Sequence, residues 1–349
     1  MRIAQIAPCW LNVPPDRYGG IEYVVSLLTD GLVERGHDVT LFATNKAKTR
    51  ARLSAYLDSP LGTLTADDAL LELPHLIASY SRAGDFDIVH DHTFLGMGIA
   101  IGAQTPGLVV VNTLHVPIDM APFLKQTYQL LSTRVNLVAV SNAQRAASPN
   151  LRYAATIHHG IPLSRFPYSE TKDDFLLFVG RMSEDKGPHL AIRAAQALGL
   201  KLLLGFKMTT PKEKEFYKNV VAPMRSANIE LLGELDFAQK TALFSRARCT
   251  LMPVQWPEPF GLVAIESMAC GTPVIGWRNG ALPEIVEHGV SGFIVDSLDG
   301  LIDATRRADT LAPLACRRRV EQLFSVEAML NGYEALYRSL LDQPQSIPV

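Results

Sequence analysis

The chain has 349 residues, enough for about two domains of ordinary size. Hydrophobic residues make up 48% and charged residues 19%, a composition that builds packed cores and excludes disorder as the main state. With 33 Lys and Arg against 35 Asp and Glu, the net charge is −2, which excludes a uniformly basic nucleic-acid-binding surface.

In chain order, Arg2–Ala7 is a short apolar run of strand type, followed by a proline-bearing loop, Pro8–Tyr18. Gly20–Arg35 then carries apolar residues at helical spacing (Ile21, Val24, Val25, Leu28, Leu32) and stops at Gly36. Val39–Ala43, Asp87–His90, Val109–Asn112 and Leu137–Val140 read as further strands, with helices expected at Asp67–Arg82 and Phe123–Ser132. The alternation restarts at Phe175–Val179: helix Pro188–Leu198, strand Lys201–Leu204, helix Lys212–Ser226, strand Ile229–Leu232, helix Ala238–Arg246, strand Thr250–Pro253, helix Gly261–Cys270 and strand Pro273–Gly276. A last helix is expected over Val326–Leu341. Repeated βα units with continuously apolar strands predict parallel sheets covered by helices on both faces. The polar stretch Ile161–Asp174 reads as the linker between two such domains. In open α/β sheets ligands bind beyond the carboxyl ends of the strands, so functional residues are expected in the loops after strands, around an interdomain cleft.

Cys9, Cys249, Cys270 and Cys316 form no CxxC pair and sit among apolar neighbours, which predicts reduced thiols. The N-terminal stretch lacks the apolar core of a signal peptide, and no apolar run approaches the roughly 18 residues of a membrane span. A soluble cytoplasmic protein is the expectation.

Three stretches carry candidate chemistry. Tyr18-Gly19-Gly20 opens the first helix, where exposed N–H groups and the helix dipole suit a phosphate; the alternative is an ordinary turn and helix start. The GxGxxG fingerprint is absent, which argues against a dinucleotide site. The loop Gly180-Arg181-Met182-Ser183-Glu184-Asp185-Lys186-Gly187 follows a strand and precedes a helix, and its two cations, five residues apart, suit a diphosphate if they are not solvated surface charges. Glu258 and Glu266, eight residues apart in EPFGLVAIE, place one carboxylate on a Trp/Pro loop and the other inside the following helix between Ile265 and Met268. A carboxylate in such apolar company needs partners, and sugar or ribose hydroxyls can supply them; the alternative is helix capping on a surface face. Lesser features are Asp85-Phe86-Asp87 and His90-Asp91-His92, both read as non-metal in preference to metal, and Trp256, equally suited to stacking on a ligand or to packing.

Taken together, EPFGLVAIE, FVGRMSEDKG, YGGIE and NGALPEIVEHGVSGFIV resemble, in the right order and over most of the chain, the motifs of the retaining GT-B glycosyltransferases of family 4, and the opening VPPDRYGGIEYVV resembles a bacterial subgroup. The resemblance implies two Rossmann-like domains, an acceptor-side domain over 1–163 and a nucleotide-sugar domain over 164–325, with a helix over 326–342 packing back toward the first. It implies that Arg181 and Lys186 hold the donor diphosphate, that Glu266 binds the ribose and that Glu258 contacts the donor sugar. It also implies that the backbone at Gly180, Phe260, Gly261 and Leu262 meets sugar or phosphate, that Gly19 and Gly20 lie near the diphosphate, and that His115 lies close to the transferred sugar. The reaction implied is transfer of a sugar to an acceptor hydroxyl with retention. It uses a UDP-, GDP- or ADP-sugar as co-substrate, no metal and no other cofactor. The acceptor is a sugar, a small molecule or a lipid-linked group, the last with peripheral membrane contact. An epimerase or phosphorylase on the same scaffold, or a non-catalytic nucleotide-sugar-binding protein, is the alternative. The chain departs from the family pattern at His159-Gly160-Ile161-Pro162, Gly205-Phe206-Lys207 and Asn279-Gly280, which bears on base and sugar selectivity.

Overall fold

The computed structural model describes residues 1–62 and 68–342. The chain separates into two compact units, one made of Met1–Gly160 with the stretch from Val326 on, the other of Ile161–Ser325.

The first unit is built on seven parallel strands: β1 (Arg2–Ile6), β2 (Asp38–Ala43), β3 (Arg52–Ala55), β4 (Ile88–Asp91), β5 (Val110–Leu114), β6 (Asn136–Ala139) and β7 (Tyr153–Thr156), in the order β3-β2-β1-β4-β5-β6-β7. The central strands are buried along nearly their whole length, with Gln5, His90, Asp91, Asn112 and Thr113 buried among their apolar residues. The edge strands β3 and β7 are half-exposed, and their sequences RLSA and YAAT carry no apolar run to announce them. Connections proceed to one side from β1 through β2 and β3 and to the other from β4 through β7, which puts a topological switch point between β1 and β4. The Val326–Asp342 helix belongs to this unit and buries Met329, Leu330, Tyr333 and Tyr337. It approaches the Gly20–Glu34 helix so closely that a Cβ on Gly31 would lie 2.6 Å from Leu330 Cδ1. Arg35 and His37 meet Glu334 at 2.6 and 2.7 Å. The helix expected over Asp67–Arg82 starts later, as a 3-10 turn at Ala69–Glu72 running into an α-helix over Leu73–Tyr80; Asp67 itself lies outside the described residues.

The second unit has six parallel strands, β8 (Phe175–Arg181), β9 (Lys201–Lys207), β10 (Ile229–Gly233), β11 (Cys249–Met252), β12 (Val274–Trp277) and β13 (Gly292–Val295), in the order β10-β9-β8-β11-β12-β13. Its switch point falls between β8 and β11, paired at Cys249↔Leu176 and Thr250↔Leu177. The core joins Leu176, Phe178, Ile192, Leu202, Leu204, Leu251, Ile275 and Leu301. One expectation is corrected here. The single helix over Lys212–Ser226 is three pieces: α over Pro211–Phe216, π over Tyr217–Val221 and 3-10 over Ala222–Met224. Pro223 has no N–H to donate and its ring crowds the preceding turn, so an α-helix cannot run through it. The stretch Ile161–Asp174 opens the second unit, and Arg317 donates to the carbonyls of Leu163 (3.1 Å), Phe166 (2.9 Å) and Ala269 (2.6 Å) and fastens it there. All four cysteines are free and buried.

Candidate functional site

In the second unit the loops leaving β8, β11 and β12 converge at the switch point. They are joined main chain to main chain. Gln255 N–H donates to Asp185 O (2.7 Å), Ala281 N–H donates to Glu258 O (2.8 Å), and the Gln255 side chain donates to Glu184 O (2.8 Å). Two glycines make this closeness possible. Gly187 has φ +72, and a Cβ there would stand 2.2 Å from Pro253 O; Gly280 has φ +53, and a Cβ there would stand 2.3 Å from both Glu258 N and Glu258 O. Any other residue would be strained at both positions and would collide with backbone.

Four charged side chains project from these loops and from the strand and helix beside them. Arg181, the last residue of β8, donates to Asp185 (2.7 Å) and stands 3.6 Å from Glu213. Lys186, in the same loop, is ion-paired with Glu258 Oε2 and lies 4.7 Å from the centre of the Trp256 ring. Glu258 Oε2 also accepts from Trp256 Nε1 at 2.7 Å, while Oε1 has no partner among the described residues. Glu266, in the Leu262–Ala269 helix, is only 3% exposed; its Oε1 accepts from Lys240 Nζ at 2.7 Å and its Oε2 has no partner among the described residues. Each carboxylate thus has one oxygen held by a lysine and one available as an acceptor for a hydroxyl. The sequence reading aimed Arg181 and Lys186 at one anion. The structure places each against carboxylates of the chain itself, so an incoming phosphate must compete with Asp185, Glu213 and Glu258.

Other expected residues have structural reasons for their positions. Gly261 is the N-cap of the Leu262–Ala269 helix and Leu262 its first residue. The Phe260 side chain is buried edge-on against Phe324, with ring centres 5.8 Å apart. Gly180 lies within β8, where a Cβ would come within 3.3 Å of the Phe178 ring. Trp256 is both packed and hydrogen-bonded. Lys240, Asp185 and Glu213 were missed in the sequence. Only Glu213 had a readable signal: Thr210 and Glu213 form a reciprocal capping box in T-x-x-E spacing.

In the first unit, Gly19 caps the Gly20–Glu34 helix, and a Cβ there would fall 2.7 Å from Pro15 Cβ. The proline-bearing loop therefore packs directly on this turn. His90, His92, His115 and His159 gather at the ends of β4, β5 and β7, all nearly or fully buried. His90 Nδ1 is 2.6 Å from Tyr337 Oη and its Nε2 is 2.7 Å from Thr113 Oγ1; His92 Nε2 is 2.7 Å from Gln5 Oε1 and its Nδ1 is 3.0 Å from His115 Nε2. The His115 and His159 rings stack with centres 5.3 Å apart. Burial drives the pKa values of His90, His92 and His115 well below the ordinary 6.5, and that of His159 to about 3, with neighbouring histidines adding to the effect. All four are neutral at physiological pH. Asp91, fully buried, accepts from Thr93 N–H (2.7 Å), Thr93 Oγ1 (2.7 Å) and Tyr80 Oη (2.8 Å). Asp87 is bound by Arg2 at 2.6 Å and Asp85 faces Arg82 at 3.4 Å, so these aspartates serve ion pairs. Among the described residues no group of three or more His, Cys, Asp or Glu is arranged to hold a metal, and no helix is long and apolar enough to cross a membrane.

Comparison with known proteins decides the family. Residues 18–165 match the model of Glycosyltransferase Family 4, and residues 162–307 match that of Glycosyl transferases group 1. The chain belongs to the family 4, group 1 glycosyltransferases. This glycosyltransferase is 24% identical over 340 residues to the D-inositol 3-phosphate glycosyltransferase of Pseudarthrobacter chlorophenolicus, covering 80% of this chain and 78% of that protein. The solved structure of AviGT4, a glycosyltransferase involved in avilamycin A biosynthesis, is 26% identical with a TM-score of 0.73, covering 98% of both chains. Anabaena HepE in complex with UDP-glucose has a TM-score of 0.76 at 19% identity, covering 98% of this chain and 100% of that one. The glycosyltransferase therefore has the GT-B fold of two Rossmann-like units.

Proposed function

We propose that this glycosyltransferase moves a hexosyl group from a nucleoside-diphosphate sugar to an acceptor hydroxyl with retention, the nucleotide sugar being held by the 164–325 region. The observation that carries this reading is the pair of carboxylates at the β8/β11 switch point, each held by a lysine through one oxygen and open at the other, beside the guanidinium of Arg181. Glu266 takes the ribose hydroxyls and Glu258 the hydroxyls of the donor sugar. Arg181 and Lys186 exchange their carboxylate partners for the diphosphate and stabilise its charge as it departs. The amides at Phe260, Gly261 and Leu262, at the start of a helix, add to that stabilisation.

Fixed cations and helix N–H groups supply the electrostatics without a metal ion. The departing phosphate oxygen takes the acceptor proton on the same face, so no carboxylate nucleophile is required. Trapping a covalent glycosyl-Glu258 or glycosyl-Glu266 species would overturn this route. The region 1–163 serves the acceptor, with Gly19 and Gly20 near the diphosphate and His115 near the transferred sugar, and the 326–342 helix completes it. The reaction is placed in the cytoplasm, with peripheral membrane contact if the acceptor is lipid-linked. The uridine nucleotide bound by Anabaena HepE makes UDP-sugars the first donors to try.

The test is a thermal-shift panel of UDP, GDP, ADP and their sugars, followed by nucleoside-diphosphate release from the sugar that stabilises most. Glu266→Ala is expected to weaken the shift at least tenfold in apparent affinity. The Arg181→Ala, Lys186→Ala double variant is expected to abolish transfer with the fold intact. Turnover near wild type in the double variant would refute the assignment.

A further inference from the structure

We infer that Gln5, anchored by Tyr337 of the C-terminal helix, acts through His92 as a positioning residue that fixes His115 in one tautomer, Nε2–H inward and Nδ1 presented as a hydrogen-bond acceptor. The inference rests on the reading of His115 as the residue near the transferred sugar and adds which of its atoms does the work.

The proton positions follow from one contact to the next. The Gln5 amide has two ends. Its nitrogen donates to Tyr337 Oη at 3.3 Å, which leaves its oxygen facing His92 Nε2 at 2.7 Å. An amide oxygen only accepts, so His92 carries its proton on Nε2. A neutral His92 then has a bare Nδ1, and the 3.0 Å contact from that atom to His115 Nε2 requires the proton on His115 Nε2. What remains on His115 is a bare Nδ1, and that nitrogen has no hydrogen-bond partner among the described residues. Both rings are kept neutral by burial and by the neighbouring imidazoles. The anchor is itself held: Tyr337 Oη lies 2.6 Å from His90 Nδ1, and His90 Nε2 lies 2.7 Å from Thr113 Oγ1.

The circuit has one competing state. If the Gln5 amide turned over, the protons on His92 and His115 would change nitrogens, and His115 would present Nδ1–H as a donor. A sugar hydroxyl bound by an acceptor nitrogen must give its proton away from its own oxygen; one bound by a donor need not. The polarity of this chain is therefore a specificity device for the sugar's hydroxyl pattern, set about three side chains from the ligand.

The experiment uses the full chain labelled with ¹⁵N-histidine. Long-range ¹H–¹⁵N correlation separates protonated from bare ring nitrogens, and His115→Gln assigns the His115 signals. Wild type is expected to show Nε2 protonated and Nδ1 bare. Tyr337→Phe, which removes one hydroxyl and keeps the ring, is expected to free the amide and give a mixture of both His115 tautomers. Gln5→Met is expected to do the same. In both variants nucleoside-diphosphate release is expected to fall about tenfold, the scale of one hydrogen bond. It is followed from whichever of UDP-glucose, GDP-mannose and ADP-glucose the wild type turns over. A protonated Nδ1 in wild type overturns the proposal, as does an unchanged tautomer in the two variants. Undiminished release by His115→Gln overturns instead the sugar-facing role of His115, and the two failures are thereby told apart.

Discussion

Glu72 provides a quantitative test of how the first unit is built. It is fully buried at the foot of the Leu73–Tyr80 helix, with the Cys9 sulfur 4.0 Å away, and no cation is paired with it in the described structure. Burial first, and then the charge of Asp91, push its carboxyl from the ordinary 4.5 up to about 8. A carboxyl raised in the folded state binds a proton that the unfolded chain has already lost. The associated stability is fully present below about pH 4.5 and is lost as the pH rises through about 8. At ~1.4 kcal/mol per pH unit, the whole effect is about 5 kcal/mol, of which roughly 3 kcal/mol falls between pH 6 and 9. Asp91, raised to about 6 by burial, has spent most of its own effect by pH 6 and does not confuse that window. Glu72→Gln keeps the shape and removes the titration. Unfolding curves of wild type and variant, collected from pH 6 to 9, are expected to diverge. Wild type should lose on the order of 5–10 °C of melting temperature relative to the variant across the window. Parallel curves would show that Glu72 is ionised and hydrated in the folded protein, and would refute the picture of a dry acid beneath the loop that follows β1.

Gly280→Ala puts a methyl group into the main chain of Glu258 and forces a residue with a side chain into φ +53. It is expected to lower kcat/KM at least a hundredfold while costing about 1–3 kcal/mol of stability, read by donor turnover beside thermal unfolding. Arg317→Leu strips the donors from three carbonyls, at Leu163, Phe166 and Ala269. It is expected to cost roughly 2–3 kcal/mol and to expose 161–174 to limited proteolysis first, a pattern that uniform destabilisation would not give.

The central strands were legible because a strand covered on both faces is mostly apolar, as in Leu176–Phe178 and Leu202–Leu204. The edges were not, because β3 and β7 face solvent on part of their surface and need no such run. The break at Pro223 was written in the chain but was outvoted by helical spacing on either side of it. At the site, Glu258, Glu266, Arg181 and Lys186 stood out through motif spacing, whereas their partners came from remote positions. Lys240 is 26 residues from Glu266, and Gln5 is 332 residues from Tyr337. Nothing local marks such pairs, since only folding brings them together.

The main-chain wedge of Gly187 against Pro253, with Gln255 bonded to Asp185, makes the loops after β8 and β11 a single rigid block. Grafting either loop alone from another enzyme would therefore break the block. Changing what this block holds has to proceed by exchanging side chains around it, and half-buried Lys207, whose carbonyl accepts from Met182 N–H at 2.8 Å, is the natural position to vary.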